Sequence, residues 1–228
     1  MVKGDVLKRY FPLIAGVLFT VLVVISVLRS GGSPGTNESP AKILAWYQVT
    51  QNKNKVGSAG FLTAWGVIAG FAFFGCLFAR LRGKTPVLAA VGLAGAAVFA
   101  VGGLLSAGVY LSLSDTPSIM TASTAQTLNF LQSDLSYPFI ITGLSVFYVA
   151  TAVAILRTKP IPIPRTWGWL TVVFAVVSLT AFFSFFAFIG TAVWVVVSAI
   201  LLTIQNNRDR PAQAQPIPSP EVSGLPAG

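Results

Sequence analysis

The chain has 228 residues, of which 54% are hydrophobic and only 9% carry a charge. Soluble domains usually have about 25% charged residues, so this composition is that of a chain solvated mainly by lipid. The formal net charge is +9, but the basic residues form short clusters between apolar runs. That placement is typical of membrane orientation signals and excludes nucleic acid as the partner.

The residue types needed for most site chemistry are scarce. Histidine is absent and cysteine occurs once, as Cys76. These counts exclude a disulfide framework, a CxxC motif, histidine-ligated metal and haem sites, and histidine-based catalysis. The motifs GxxxxGK(S/T), GxGxxG, GxSxG and HExxH are also absent. The sequence therefore predicts no cofactor, no metal site and no catalytic residue.

Six apolar segments are long enough to cross a bilayer core of about 30 Å, which takes about 20 helical residues. They lie at residues 11–28, 61–79, 87–113, 139–156, 167–183 and 186–205. The last two belong to one apolar run, Trp167 to Gln205, which is too long for a single span and is predicted to turn near Ser184. The predicted fold is all-α, a polytopic bundle of six transmembrane helices that occupies residues 11–205.

The basic residues predict the orientation of these spans. Most of the 15 fall in alternate connections: Lys3, Lys8, Arg9, Arg80, Arg82, Lys84, Arg157, Lys159, Arg165, Arg208 and Arg210. The other connections hold only Arg29, Lys42, Lys53 and Lys55. Cytoplasmic loops of membrane proteins are enriched in Lys and Arg. We therefore predict a multi-pass protein of a bacterial cytoplasmic membrane with both termini in the cytoplasm.

The two ends of the chain are interpreted separately from the bundle. Residues 1–10 form a cytoplasmic N-terminus, and the first span is a retained signal anchor because no A-x-A cleavage site follows it. Residues 206–228 are rich in proline and poor in large apolar residues, so they are predicted to form a disordered cytoplasmic tail.

The stretch AKILAWYQVTQNKNK, residues 41–55, follows the first span and is amphipathic. Ser39 and Pro40 form a helix start signal, and a helical wheel places Trp46 and Tyr47 on the apolar face. The pattern predicts a short interfacial helix at residues 40–54. It is either a helix that caps the outer end of the bundle, or a gate or docking helix above a cavity or partner.

The predicted spans contain no ionisable Asp, Glu, Lys or Arg at membrane depth, which argues against a proton pump, a voltage sensor or a buried carboxylate site. Their polar residues carry hydroxyl groups or are tryptophans, and we interpret these side chains as forming hydrogen bonds between helices. Small residues predict close helix packing in the second and third spans: Gly66, Gly70, Gly92, Ala96, Ala100, Gly103 and Ala107. The same stripe could equally face another subunit.

Two further segments have a predicted structure. The outer loop from Ser114 to Pro138 is predicted to contain a short helix around residues 119–131. The segment FFSFFAF, residues 182–188, is predicted to meet lipid or pack locally at the turn of the last hairpin, with a pocket for an isoprenoid or acyl chain as the alternative.

Three stretches carry a resemblance to a known family: AWYQVTQNK before the second span, FAFFGCLFARLRG at its end, and IPRTWGWL at the start of the fifth. Together they resemble an uncharacterised family of six-span membrane proteins common in actinobacteria, over residues 40–205. The resemblance implies a six-helix bundle and no family active site. In size and span count the chain is also similar to accessory subunits of actinobacterial respiratory supercomplexes.

Three functional hypotheses follow. The first is a non-enzymatic accessory or scaffold subunit that packs against a larger membrane complex, with lipid and other membrane proteins as partners. The second is a lipid- or quinone-binding protein, or a transporter of a neutral lipophilic molecule. Its cavity would be formed by Trp46, Tyr47, Trp65, Tyr110 and Tyr148. A membrane enzyme is the least favoured, since the spans offer no nucleophile–base pair and no set of metal ligands.

Overall fold

The computed structural model describes residues 2–158, 163–180 and 184–213, and within them the side chains of 9–134, 137–158, 163–180 and 189–207. Regular structure in these ranges is helical throughout, so the all-α prediction is confirmed there. The helices are α1 (Val2–Ser30), α2 (Pro40–Gln48), α3 (Thr50–Arg82), α4 (Pro86–Asp115), α5 (Ala122–Phe130), α6 (Ser136–Arg157), α7 (Arg165–Leu179) and α8 (Ser184–Gln213). A π-helical segment, Leu131–Leu135, joins α5 to α6.

Five helical stretches are long and apolar enough to cross a membrane. They are Arg9–Ser30, Thr50–Arg82, Pro86–Asp115, Ala122–Arg157 and Ile189–Asn207. The fifth predicted span, residues 167–183, corresponds to α7, which is apolar but has only 15 residues. At 1.5 Å per residue α7 is about 22 Å long, shorter than a typical bilayer core.

Three predicted boundaries differ from the observed helices. The segment 40–54 is not one helix, because the backbone at Val49 is extended and separates α2 from α3. Residues 50–54 therefore lengthen the second span, while α2 turns aside and buries Tyr47. Helix α8 continues to Gln213, inside the segment interpreted as a tail, and residues 214–228 lie outside the described ranges.

Two other predicted segments are placed only in part. Helix α5 falls within the predicted range 119–131. Helix α7 ends at Leu179 and α8 begins at Ser184. Residues 181–183, next to the predicted turn of the last hairpin, lie outside the described residues, and so do the side chains of residues 182–188.

Phenylalanine rings form the centre of the bundle. Helix α3 packs against α1 and α4, and α4 packs in turn against α6, which contacts α7; α1 also contacts α8. The ring of Phe74 contacts Phe19 and Phe99 edge-on at centroid distances of 6.2 Å and lies 4.7 Å from Phe147. These four rings come from α1, α3, α4 and α6, so one buried cluster joins four helices.

Small residues occupy the helix contacts, as proposed for the second and third spans. A methyl group added at Gly70 would lie 2.6 Å from the ring of Phe19, and one at Gly103 would lie 2.5 Å from Val67. Gly66 faces Val23, Gly92 faces Phe78, Ala96 and Ala107 are buried, and Ala100 is half-buried. The stripe is therefore used within the chain.

A close crossing between α4 and α6 involves two glycines that the sequence pattern did not single out. A methyl group at Gly95 would lie 2.6 Å from the backbone nitrogen of Phe147, and one at Gly143 would collide with the backbone nitrogen of Phe99. At this crossing backbone meets backbone, and neither helix has room for a side chain.

A hydroxyl–indole network joins α6, α7 and α8. The Tyr148 hydroxyl donates to Thr191 (2.7 Å), the Trp194 indole to Thr171 (3.0 Å), the Trp167 indole to Ser198 (2.9 Å) and the Ser145 hydroxyl to Ser178 (3.1 Å). Buried polar groups have no water to bond with inside a bilayer, so these bonds fix the pairing of the three helices.

Replacing Gly143 with alanine is expected to lower the free energy of unfolding by about 1–3 kcal/mol, because the new methyl group meets backbone that has little freedom to move. Gly75→Ala is the matched control, since a methyl group there meets no atom within 4 Å. Unfolding in detergent measures both. Equal stability of the two variants would contradict the close packing of α4 against α6 at Gly143.

The substitution Tyr148→Phe is expected to destabilise the protein by about 0.6–2 kcal/mol through loss of the bond to Thr191. A double-mutant cycle with Thr191→Val measures the coupling between the two side chains. Thr180→Val serves as the control, because that exposed hydroxyl bonds only within its own helix. Strictly additive losses in the cycle would mean that the bond contributes nothing.

Candidate functional site

Helices α2 and α5 lie together over one end of the bundle and are called the cap here. Ile43 and Tyr47 of α2 are buried against Ala125 of α5 and against Val56 of α3 and Leu113 of α4. The apolar face of α2 is therefore covered by protein, which explains why its sequence is amphipathic without requiring lipid on that face.

The side-chain amide of Asn129 holds the cap in place through two hydrogen bonds. Its Oδ1 accepts a hydrogen bond from the Tyr47 hydroxyl at 2.8 Å, and its Nδ2 donates to the Pro34 carbonyl at 3.1 Å. Burial, followed by the neighbouring Tyr110, raises the pKa of the Tyr47 phenol above its usual range, so Tyr47 remains a donor at neutral pH. Gln48 adds a bond of 3.4 Å to the Pro117 carbonyl.

A cavity of about 310 Å³ lies between the helices next to the cap. It forms where the end of α1, the start of α3, the end of α4 and the start of α6 meet. Its lining residues are Val23, Ser26, Val27, Ser30, Thr63, Val67, Phe99, Gly103, Ser106, Tyr110, Gln132, Ser133, Tyr137 and Ile140. Tyr110 also packs into the cap, so one side chain connects the two features.

The polar groups of this cavity are all uncharged. Ser26 donates to the Ala59 carbonyl at 2.8 Å and shares a hydrogen bond of 2.6 Å with Thr63. Gln132 donates to the Ser106 hydroxyl at 3.3 Å. Such a lining offers hydrogen bonds to a neutral ligand but no counter-charge for an ion.

The five residues predicted to line a lipophile cavity do not lie together. Tyr110 lines the cavity, while Trp46 and Tyr47 contact each other in the cap at a ring distance of 4.9 Å. Trp65 is 63% exposed on the outer surface of α3. Tyr148 is fully buried in the hydroxyl–indole network. Trp65 and Tyr148 therefore belong to other surroundings.

The sequence did not predict most of the residues that line this cavity. The hydroxyls of Ser26, Thr63 and Ser106 were interpreted as forming hydrogen bonds between helices, and Gln132 and Tyr137 belong to the predicted outer loop. One signal was present: each hydroxyl lies toward the same predicted side of its span. Because neighbouring spans run antiparallel, this places the three hydroxyls at similar depth.

No known family model, curated protein or solved structure matches this chain. The resemblance to a six-span actinobacterial family therefore stays a prediction. In the part of the chain described here, no three His, Cys, Asp or Glu side chains lie close enough to hold a metal ion. The function of the cavity beside the cap is therefore inferred from its lining residues and their hydrogen bonds.

Asn129→Ala is expected to loosen the cap, because it removes two hydrogen bonds and leaves the buried Tyr47 hydroxyl without this acceptor, a loss of about 1–3 kcal/mol. Amide hydrogen exchange of residues 40–48 and 122–130 measures the effect, with faster exchange expected there and not in α6. The control is Thr127→Ala, an exposed α5 hydroxyl bonded to its own helix. Unchanged exchange in Asn129→Ala would contradict the role of this residue.

Proposed function

We propose that this protein binds a neutral, lipid-soluble molecule in the cavity beside the cap. The observation that carries the proposal is the combination of apolar walls with several uncharged hydrogen-bonding groups at one end of an apolar helix bundle. A neutral headgroup with carbonyl or hydroxyl oxygens, such as that of a quinone or a glycerolipid, matches this lining.

The size of the cavity supports partial enclosure of such a ligand. Small-molecule sites generally measure about 300–1,000 Å³, and this one lies at the lower limit. It has room for a ring or a headgroup, while the hydrocarbon tail of the ligand would remain among lipid chains. Val23, Val27 and Ile140 provide apolar contact, and the hydroxyls of Ser30 and Tyr110 also line the cavity.

The proposed membrane arrangement has six spans, with α7 as a short one and both termini in the cytoplasm. The distribution of Lys and Arg supports it, since the connections on the opposite side hold few basic residues. In this arrangement the cap and the cavity lie toward the outer face of a bacterial cytoplasmic membrane. Trp46, half-buried in the cap, would lie at the level of the lipid headgroups.

The accessory-subunit hypothesis remains the second candidate without a specific contact to favour it. Its basis is the absence of charged groups, histidine and metal ligands from the spans, and it expects packing through the small-residue and Phe faces. Of the small residues, Gly66, Gly70, Gly92 and Gly103 all face side chains of this same chain. Exposed apolar residues such as Trp65 and Val173 are what any lipid-facing surface presents. For these reasons the cavity receives the greater weight.

Ser133→Phe is expected to reduce the amount of bound lipophile about tenfold, equivalent to about 1.4 kcal/mol, because the ring would occupy the cavity. The Ser133 hydroxyl donates to the backbone carbonyls of Asn129 and Phe130, about one turn away, so its loss leaves the described hydrogen bonds between helices intact. Ser112→Phe is the matched control: that serine also bonds within its own helix, but it is exposed and outside the cavity.

The measurement is lipid mass spectrometry on protein purified gently from its native membranes, together with identification of co-purifying proteins. A lipid or quinone enriched over bulk membrane in the wild-type and Ser112→Phe proteins, and depleted in Ser133→Phe, is the expected result. Stoichiometric recovery of one large complex with no enriched lipid would contradict the proposal and favour the accessory-subunit hypothesis.

A further inference from the structure

Four hydroxyl groups of the cavity beside the cap already donate their hydrogen atoms. Ser26 donates to the Ala59 carbonyl at 2.8 Å. Because a serine hydroxyl has only one hydrogen atom, the 2.6 Å bond between Ser26 and Thr63 uses the hydrogen of Thr63. The other two, Ser30 and Ser133, donate to backbone carbonyls about one helical turn away. These four residues therefore have only acceptor lone pairs left for a ligand.

Ser106 and Tyr110 on α4 differ from these four residues. The Ser106 hydroxyl accepts a hydrogen bond from the Gln132 side-chain amide at 3.3 Å, which leaves its own hydrogen to be donated elsewhere. Among the residues that the structure describes, no acceptor receives the hydrogen of Ser106 or of Tyr110. Both side chains are buried and both line the cavity. A buried donor is costly unless it is paired, so these two hydroxyls gain the most from an acceptor on a ligand.

The two donors lie on the same side of α4. Residues four positions apart are neighbours on a helix surface, and the side chain of the later residue leans back toward the earlier one. Tyr110 is also held against α3, since a methyl group at Gly60 would lie 3.2 Å from its Cβ atom. Ser106 is oriented by Gln132, and a hydroxyl that accepts a hydrogen bond is polarised into a better donor. One wall of the cavity thus carries two neighbouring donors.

We propose that the ligand of this cavity has a carbonyl oxygen that accepts hydrogen bonds from Ser106 and Tyr110. This inference rests on the proposed function, because it concerns the same cavity, and it narrows the class of ligand. A carbonyl oxygen has two lone pairs and no hydrogen atom, so it can accept from both donors at once. A hydroxyl group would bring a further hydrogen atom that needs an acceptor of its own. Quinones and fatty-acyl esters share this carbonyl chemistry.

The binding of two matched pairs of small probes tests the proposal. The full-length protein is kept in dodecyl maltoside, a detergent without carbonyl groups, and equilibrium dialysis measures each dissociation constant, corrected for uptake by protein-free micelles. The first pair is duroquinone and durene, which have the same four methyl groups and differ in the two carbonyls. The second pair is dihexanoylglycerol and dihexylglycerol, an ester and an ether. We expect the carbonyl compound of at least one pair to bind about tenfold more tightly than its partner. The pair that shows the preference identifies the source as a quinone or an ester.

Tyr110→Phe is the decisive variant, because it removes one donor and keeps the ring that packs into the cap. It should weaken binding of the preferred carbonyl compound about fivefold, through the loss of one hydrogen bond, and leave the carbonyl-free partner unchanged. Ser106→Ala should have the same selective effect, although it also removes an acceptor of Gln132. Ser133→Ala is the matched control: that hydroxyl lines the same cavity but donates to backbone carbonyls, so its loss should change the binding of neither probe.

The carbonyl contact and the proposed function fail in different ways. Equal binding within both pairs would overturn the carbonyl contact, as would a failure of both Tyr110→Phe and Ser106→Ala to weaken the carbonyl compound selectively. In either case, loss of probe binding in Ser133→Phe would still support the cavity as a binding site. If no probe binds, or if Ser133→Phe leaves the binding of every probe unchanged, the proposed function is overturned and this inference with it.

Discussion

The contact between α4 and α6 at Gly95 and Gly143 is the constraint on which the remaining packing depends. In lipid no hydrophobic force draws helices together, so association requires close van der Waals contact, and only glycine permits backbones to meet. With α6 held this close, Phe147 reaches the ring of Phe74 across the bundle. The start of α6 is fixed as well, since Ile140 contacts Gly102 and also lines the cavity.

The two ends of the molecule have different chemistry, and the packed rings separate them. Uncharged hydroxyls line the cavity beside the cap, whereas Arg80 and Asn206 line a second cavity at the other end, between α1, α3 and α8. Between the two ends, Phe19, Phe74 and Phe147 are almost fully buried. This arrangement suits binding at one end better than passage from one end to the other.

The sequence predicted what composition and local pattern determine, namely the helices, five of them long and apolar enough to cross a membrane, and the small residues Gly66 and Gly70 at helix contacts. It did not predict which faces meet. Gly143 is the only glycine in its predicted span, so no stripe of small residues indicated that it lies at a helix contact. Trp65 and Trp194 are the same residue type in similar apolar runs, yet the first is 63% exposed and the second fully buried. That difference arises from tertiary pairing, as does the position of the break at Val49, and a single sequence does not encode either as a local signal.

The bond between Tyr47 and Asn129 joins residues 82 positions apart. During synthesis, which proceeds from the N-terminus, α2 emerges well before α5, with α3 and α4 between them. Until α4 and α5 have been synthesised, most of the protein that covers the apolar face of α2 is absent. In the proposed membrane arrangement, Trp46 and Tyr47 would rest at the lipid interface during that interval. The amphipathic pattern of α2 thus suits a helix that waits on the membrane surface during biogenesis and is later folded under α5.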